Sequence, residues 1–561
     1  MTRLLLLLIL LVSLALNLAG NTWGLPDRWN PDEIVADSLR MMHGLSLYNP
    51  SDFYHPTLYY FFLGLLLCAF LGILALFGVP VLEAAKSASI TWIYFSNQFP
   101  HLAVSAYVFA RSLSAVIGIG TVYVVYRFTR LLSSRGYAAL CAALILACAP
   151  GFVTYAHFAK GTIAVIFLQT LTVYLCVRFV KKPHKLKYAY WAFFVAGLAL
   201  ATKYDAAILL VPLAAAVFIA KKWNVVLKGP VLFVAALCLG WPALLFKFRD
   251  YLSHGTYYAG YFEPKTSIHV PFYFGIVNYL LQLAVIFSAG LGVVVAAGFI
   301  HTILSRKKQR NTALMPLLLY VASYLAVVSF YTHFPYAYTK YIIAIVPCMA
   351  VFGGLGIEYI FTARTRIFKS VAAACVLAAL LWAGAQAIDA DRLFISGDTR
   401  YEAGKWIEEN IPEGSTLELL NLPDWIAPID ILTRYEILFL GTSSRRYLDG
   451  TQFKLALDEQ KMRAYFKETL ENGFQGDYVL FVTENPQDLH VRSVSDSPAD
   501  RALGRLAHGS YPYAQEAVFA HPNYKVHMRA FGALSYPKNL LKSPNFCVYT
   551  SPTIFIYKRK Q

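Results

Sequence analysis

Charge is scarce in this chain. Of its 561 residues 14% are charged and 58% hydrophobic, and the mean hydropathy is +0.51. A soluble globular chain carries roughly 25% charged residues, so a wholly soluble protein is excluded. A disulfide framework is missing as well. Seven of the eight cysteines (Cys68, Cys141, Cys148, Cys176, Cys238, Cys348, Cys375) lie in apolar stretches, where a thiol behaves as a small buried hydrophobe; Cys547 stands alone in the tail. No cysteines have zinc-binding spacing, and no repeat at a fixed period is evident.

Acids are scarcest where the chain is most apolar. Residues 389–561 hold 20 basic and 22 acidic side chains, which leaves 29 basic and 10 acidic for residues 1–388. The formal net charge of +17 therefore belongs to the hydrophobic part. No nucleic-acid module accompanies it, and the distribution is that of a multi-pass membrane protein, whose Lys and Arg collect in cytoplasmic loops.

Apolar runs of about the length a bilayer requires fall near 3–20, 57–78, 106–126, 137–153, 161–180, 188–202, 205–220, 229–246, 279–301, 313–331, 341–361 and 370–388. The turns 127–135, 181–187, 221–228, 305–310 and 362–369 are strongly basic and are expected on the cytoplasmic side. Orientation counting from Arg3 then requires 57–78 to stay on the outer side as an interfacial or re-entrant helix. The expected fold is a polytopic α-helical membrane protein with about eleven crossings. Residues 21–105 form its first outer loop, 1–388 its membrane domain and 389–561 an extracytoplasmic α/β domain. The run 3–20 reads as a first span or as a cleaved signal sequence, and either leaves this orientation unchanged. In the tail, 398–415 reads as a helix capped by Asp398, and 416–420, 477–483 and 553–559 read as strands. The small-residue run GGLG at 353–356 is expected to let helices approach closely, not to bind phosphate.

Of the ten acids before residue 389, five (Asp27, Asp32, Glu33, Asp37, Asp52) fall within 26 residues of the first outer loop. Pro31 suits a first helical turn in NPDEIVADSLRMMHG (30–44), where Asp32 and Glu33 would also complement the helix dipole. This segment, then FYHPTLYY (53–60) and YVFARSLSAVIGIGTVYVVYRFTR (107–130), resembles the GT-C superfamily of membrane glycosyltransferases, specifically the protein O-mannosyltransferase and lipid A aminoarabinose transferase type. The resemblance lies in an ordered set: an Asp-Glu pair, a His-Pro-Pro or Lys-Pro-Pro box opening an interfacial helix (His55-Pro56 here), an Arg at the outer end of the next span, and a basic turn. It continues in GLALATKYDAAILLVP (197–212) and more faintly in YTKYIIAIVP (338–347).

The resemblance implies an inverting transfer of a sugar from a polyprenyl-phosphate donor to a hydroxyl of a lipid, glycan or protein acceptor. The active site would face outward from a bacterial inner membrane. Asp32 would be the base and Glu33 would orient it or hold the acceptor. Arg111 would bind the leaving phosphate, as guanidinium forks match phosphate oxygens; pairing with a loop acid is the plainer reading of the same residue. His55, Lys203 and Lys340 occupy places of the family's further cations. The second outer turn, YAHFAKGTIAVIF (155–167), departs from relatives in having no acid, and Lys160 there is a further phosphate contact to consider. A divalent metal is left open: the outer-side histidines (His43, His55, His101, His157, His254, His269, His333) show no paired ligand spacing. The aromatic run YYAGYF (257–262) reads as an interfacial belt or a sugar-stacking surface. Two other functions fit the composition: a transporter or flippase of a lipid-linked sugar, and a non-enzymatic assembly protein that binds through its tail.

Overall fold

A computed structural model describes residues 1–25, 33–43, 56–79, 99–249, 272–304, 308–331, 339–362, 365–395, 398–420, 434–440, 459–483, 498–520 and 553–560. Asp32, His55 and the 257–262 aromatics lie outside them. Two compact units are present. One comprises Met1–Thr22 and the described residues from Glu33 to Asp391; the other comprises Trp23–Leu25 and the described residues from Arg392 onward.

The first unit is helical, and the chain is a multi-pass membrane protein. Among the described residues six helices are long and apolar enough to cross a bilayer: Leu58–Leu76, Pro100–Leu132, Gly161–Lys181, Thr312–Ser329, Ile343–Thr362 and Arg366–Arg392. Leu58–Leu76 is thus long enough to span, although orientation counting placed it on the outer side. Two further runs are broken, so up to eight spans result if each bent pair is one. Gly136–Ala147 and Pro150–Ala156 meet at 62°. Proline disfavours the α conformation in the residue before it, and Ala149 is extended, with φ −70° and ψ 110°. The run 279–301 is likewise two helices, Phe272–Phe287 and Ala289–Leu304, joined at Ser288 in the left-handed region (φ 69°).

Close backbone crossings hold this bundle together. A Cβ at Gly354 would lie 2.5 Å from the Ala138 carbonyl, and one at Gly356 would lie 2.5 Å from the Gly298 Cα. The GGLG run is therefore a packing surface, as small residues are between lipid-embedded helices.

The second unit contains a five-stranded mixed sheet in the order β2-β1-β3-β5-β4, with β1 Thr416–Leu420, β2 Glu436–Leu440, β3 Tyr478–Thr483, β4 Tyr513–Phe519 and β5 Thr553–Arg559. The β1–β2 and β1–β3 pairs are parallel; the pairs of β5 with β3 and β4 are antiparallel. Alternate side chains reach two cores. Leu417, Leu419, Tyr478, Leu480 and Val482 pack with Ala403 and Ile407 of the Thr399–Asn410 helix. Leu420, Val479 and Phe481 pack with Phe466 of Glu459–Asn472 and with Ala502 and Leu506 of Pro498–Ala507. Asp398 caps the Thr399–Asn410 helix by accepting from the Arg400 amide. Its carboxylate also takes the Arg400 guanidinium and, at 3.1 Å, the indole N–H of Trp23.

Candidate active site

Glu33 immediately precedes the Val35–His43 helix and is fully buried, which an ionised carboxylate tolerates only when its oxygens are paired. Here they are. Arg111, 1% exposed on the Pro100–Leu132 helix, donates Nε to Oε1 and Nη2 to Oε2, each at 2.8 Å. This is the two-point fork that gives guanidinium–carboxylate pairs their directional strength. Oε1 also accepts the Ala159 amide at 2.9 Å, and the Ala159 carbonyl in return accepts the Ile34 amide at 3.1 Å. Arg111 Nη1 donates to the Asn21 carbonyl at 2.8 Å, and the Asn21 amide donates to Ser112. The stretch after the Thr2–Leu18 helix, the turn at 157–160 and the Pro100–Leu132 helix therefore meet at one ion pair.

Two lysine-bearing turns adjoin this contact in the chain or in space. Lys160 follows Ala159, is buried, and lies 5.0 Å from the centre of the Phe158 ring. Gly161 sits within van der Waals reach of Tyr59 and Thr202, so the turns carrying Lys160 and Lys203 are neighbours. The start of the Leu58–Leu76 helix is tied to the same place. The Leu58 amide donates to the Ala201 carbonyl at 3.0 Å, and Thr57 Oγ1 donates to the Gly240 carbonyl at 3.2 Å. Lys203 Nζ lies 3.7 Å from Asp205, whose other partner is the Tyr324 hydroxyl at 2.7 Å. Lys340 belongs to the short Thr339–Ile342 helix.

Of the residues singled out in the sequence, the structure brings together Glu33, Arg111 and Lys160, with Lys203 in the adjoining turn. It gives Arg111 a carboxylate partner. Sequence reasoning overlooked two contributors, the Ala159 backbone and Asp391. Asp391 Oδ1 lies 3.5 Å from His157 Nε2; it had been counted with the tail, but its helix continues to Ile395. Among the described residues, no group of three or more His, Cys, Asp and Glu side chains could hold a metal ion.

Residues 90–245, which carry Arg111, His157, Lys160 and Lys203, match the family described as dolichyl-phosphate-mannose-protein mannosyltransferase. The resemblance to GT-C membrane glycosyltransferases stands on that segment. No curated protein matches the chain in sequence. Solved structures similar to it include ArnT from Cupriavidus metallidurans bound to undecaprenyl phosphate, at 12% identity and a TM-score of 0.48, covering 88% of this chain and 94% of that one. The apo state of the same protein gives 12% and 0.47, with 88% and 95% covered. The Archaeoglobus fulgidus oligosaccharyltransferase in complex with zinc and sulfate gives 13% and 0.44, with 99% and 88% covered.

Proposed function

We propose that this protein is an inverting glycosyltransferase that moves a sugar from a polyprenyl-phosphate donor to a hydroxyl group. The acceptor is a lipid, a glycan or a protein on the outer face of a bacterial inner membrane. The family match over 90–245 supports the reaction class. The observation that carries the site is the burial of Glu33 between Arg111 and the Ala159 amide.

Both oxygens of Glu33 are engaged, so in this reading it is the neighbouring Asp32 that meets substrate. Glu33 is next in sequence to the proposed base and is itself fixed, and positioning of this kind is a main source of rate. Asp32 takes the proton of the acceptor hydroxyl as its oxygen attacks the anomeric carbon. The bond from that carbon to the phosphate oxygen breaks, its electron pair leaves with the polyprenyl phosphate, and the anomeric centre inverts. Lys160, Lys203, His55 and Lys340 are the cations assigned to the departing phosphate, and Arg111 contributes through the geometry it imposes on Glu33. The topology that accompanies this reading has about eleven crossings, with the site and the tail outside the cytoplasm.

The test uses the purified full chain, a series of polyprenyl-phosphate sugars, and release of free polyprenyl phosphate as the readout. Asp32→Asn should abolish release while the variant inserts and elutes as wild type does. Wild-type turnover in Asp32→Asn would reject the assignment. Movement of intact lipid-linked sugar between leaflets, without release, would favour a flippase.

A further inference from the structure

His157 occupies an unusual position between hydrogen-bond acceptors. Its ring is buried at the end of the Pro150–Ala156 helix. Nδ1 lies 2.8 Å from the Val153 carbonyl and Nε2 lies 2.8 Å from the Ala19 carbonyl. A neutral imidazole has one N–H and one lone pair. In this setting a neutral ring would aim that lone pair at a carbonyl oxygen; only the imidazolium donates on both sides. The counter-charge is at hand in Asp391 of the last helix, whose Oδ1 makes no hydrogen bond and lies 3.5 Å from Nε2. Burial by itself favours neutral partners, but a neutral ring would leave one of its two carbonyl contacts without a donor.

The position of this pair in the chain gives it a consequence. Two residues beyond His157, Ala159 donates its amide to Glu33 and accepts from Ile34. His157 thus ties the second outer turn to the end of the first helix through Ala19 and to the last helix through Asp391. The next residues of that turn grip the acidic segment. The charged groups of this neighbourhood are Glu33, Arg111, Lys160 and Asp391.

We infer that His157 and Asp391 form an imidazolium–carboxylate positioning pair, which sets the second outer turn against Glu33, the residue next in sequence to the proposed base. This rests on the glycosyltransferase reading, and two readouts that need no turnover keep the two separable.

The first readout is histidine-selective nitrogen NMR on the full protein in nanodiscs at neutral pH, with His157→Gln used for assignment. The expected wild-type signal has both ring nitrogens protonated, and Asp391→Asn should convert it to a single-tautomer pattern. A neutral His157 ring in the wild type overturns the inference. The second is a thermal cycle of Asp391→Asn with Glu33→Gln. The double variant should lose less in Tm than the two single losses combined; additive losses overturn the inference.

Turnover is then read on the same proteins. Asp391→Asn should lower kcat about 10- to 100-fold, the order expected for a misplaced catalytic group, with a smaller rise in donor KM through Lys160 and substantial rescue in Asp391→Glu. Wild-type kcat in Asp391→Asn defeats the positioning role while leaving the transferase reading intact. A supportive NMR signal and cycle in a protein that transfers no sugar would defeat only the transferase reading.

Discussion

Arg111 and Glu33 face each other as a closed fork: two guanidinium nitrogens meet two carboxylate oxygens, all at 2.8 Å, with neither side chain open to solvent. Removing one member leaves the other charge buried and unpaired, which costs about 3–5 kcal/mol. Arg111→Ala and Glu33→Gln should each lower the Tm of the detergent-solubilised protein strongly. Arg111→Lys should not rescue, because an ammonium cannot reproduce the fork. The apolar pair Glu33→Leu with Arg111→Met should be more stable than either single loss and yet inactive. Full turnover in that double variant would show that the pair serves packing alone.

Lys203 is partly neutralised by Asp205 at 3.7 Å. If Lys203 meets the donor phosphate, Asp205→Asn should increase the attraction and lower donor KM several-fold. The effect should shrink as salt is added, since these side chains are partly exposed and screened. An unchanged KM at low salt would remove Lys203 from the phosphate site.

Tyr324 donates to Asp205 at 2.7 Å. A hydrogen bond to a charged group contributes about 1.5–3 kcal/mol, so Tyr324→Phe should lower thermal stability by that order. Asp205→Asn combined with Tyr324→Phe should lose less than the two changes separately, because each has already broken the same contact.

In the sheet, Glu418 points to the face opposite Leu417 and Leu419, is 1% exposed, and accepts from the amides of Gln475 and Gly476 and from the Tyr465 hydroxyl. Glu418→Ala would leave three donors without their acceptor, one buried and two part-buried, and the buried Gly476 amide alone costs about 1–3 kcal/mol. Hydrogen exchange should show faster opening of β1 and β3 in this variant. Exchange at the wild-type rate would mean that water replaces the carboxylate at no cost.

Asp477 has its carboxyl held below the usual range, because it accepts both the amide and the hydroxyl of Thr416. A folded value lower than the unfolded one gives stability that is complete above the unfolded pKa, near 3.9, and fades as pH falls through the folded value. Protection of the β1 and β3 amides in the full protein should decline on that acidic side. Asp477→Asn should flatten the decline, and an unchanged pH profile would place it elsewhere.

Some of this was legible in the residues. GGLG could only be a close crossing within an apolar run, and Asp398 before a helical pattern could only be a cap; both are so in the structure. The runs 416–420, 477–483 and 553–559 coincide with β1, β3 and β5 to within a residue. Breaks were read less well. Hydropathy averages over Pro150 and Ser288, so two bent helix pairs looked like continuous spans. At the site, composition isolated the Asp-Glu pair but could not show that Glu33 is buried. That depends on Arg111 and on a backbone amide at Ala159, and no pattern marks the latter. Asp391 escaped notice because its partner is distant in the chain and its helix outlasts the apolar run.

The indole of Trp23 donates to Asp398, 375 positions later, and stands edge-on to Phe394 at 5.4 Å. During synthesis the ribosome delivers this tryptophan early and its partners only after the last apolar helix is made. The Trp23 contacts must therefore stay open through most of translation, and they close among the final steps of maturation. Nascent chains stalled before Asp398 should keep Trp23 open to chemical labelling, and release of the full chain should protect it.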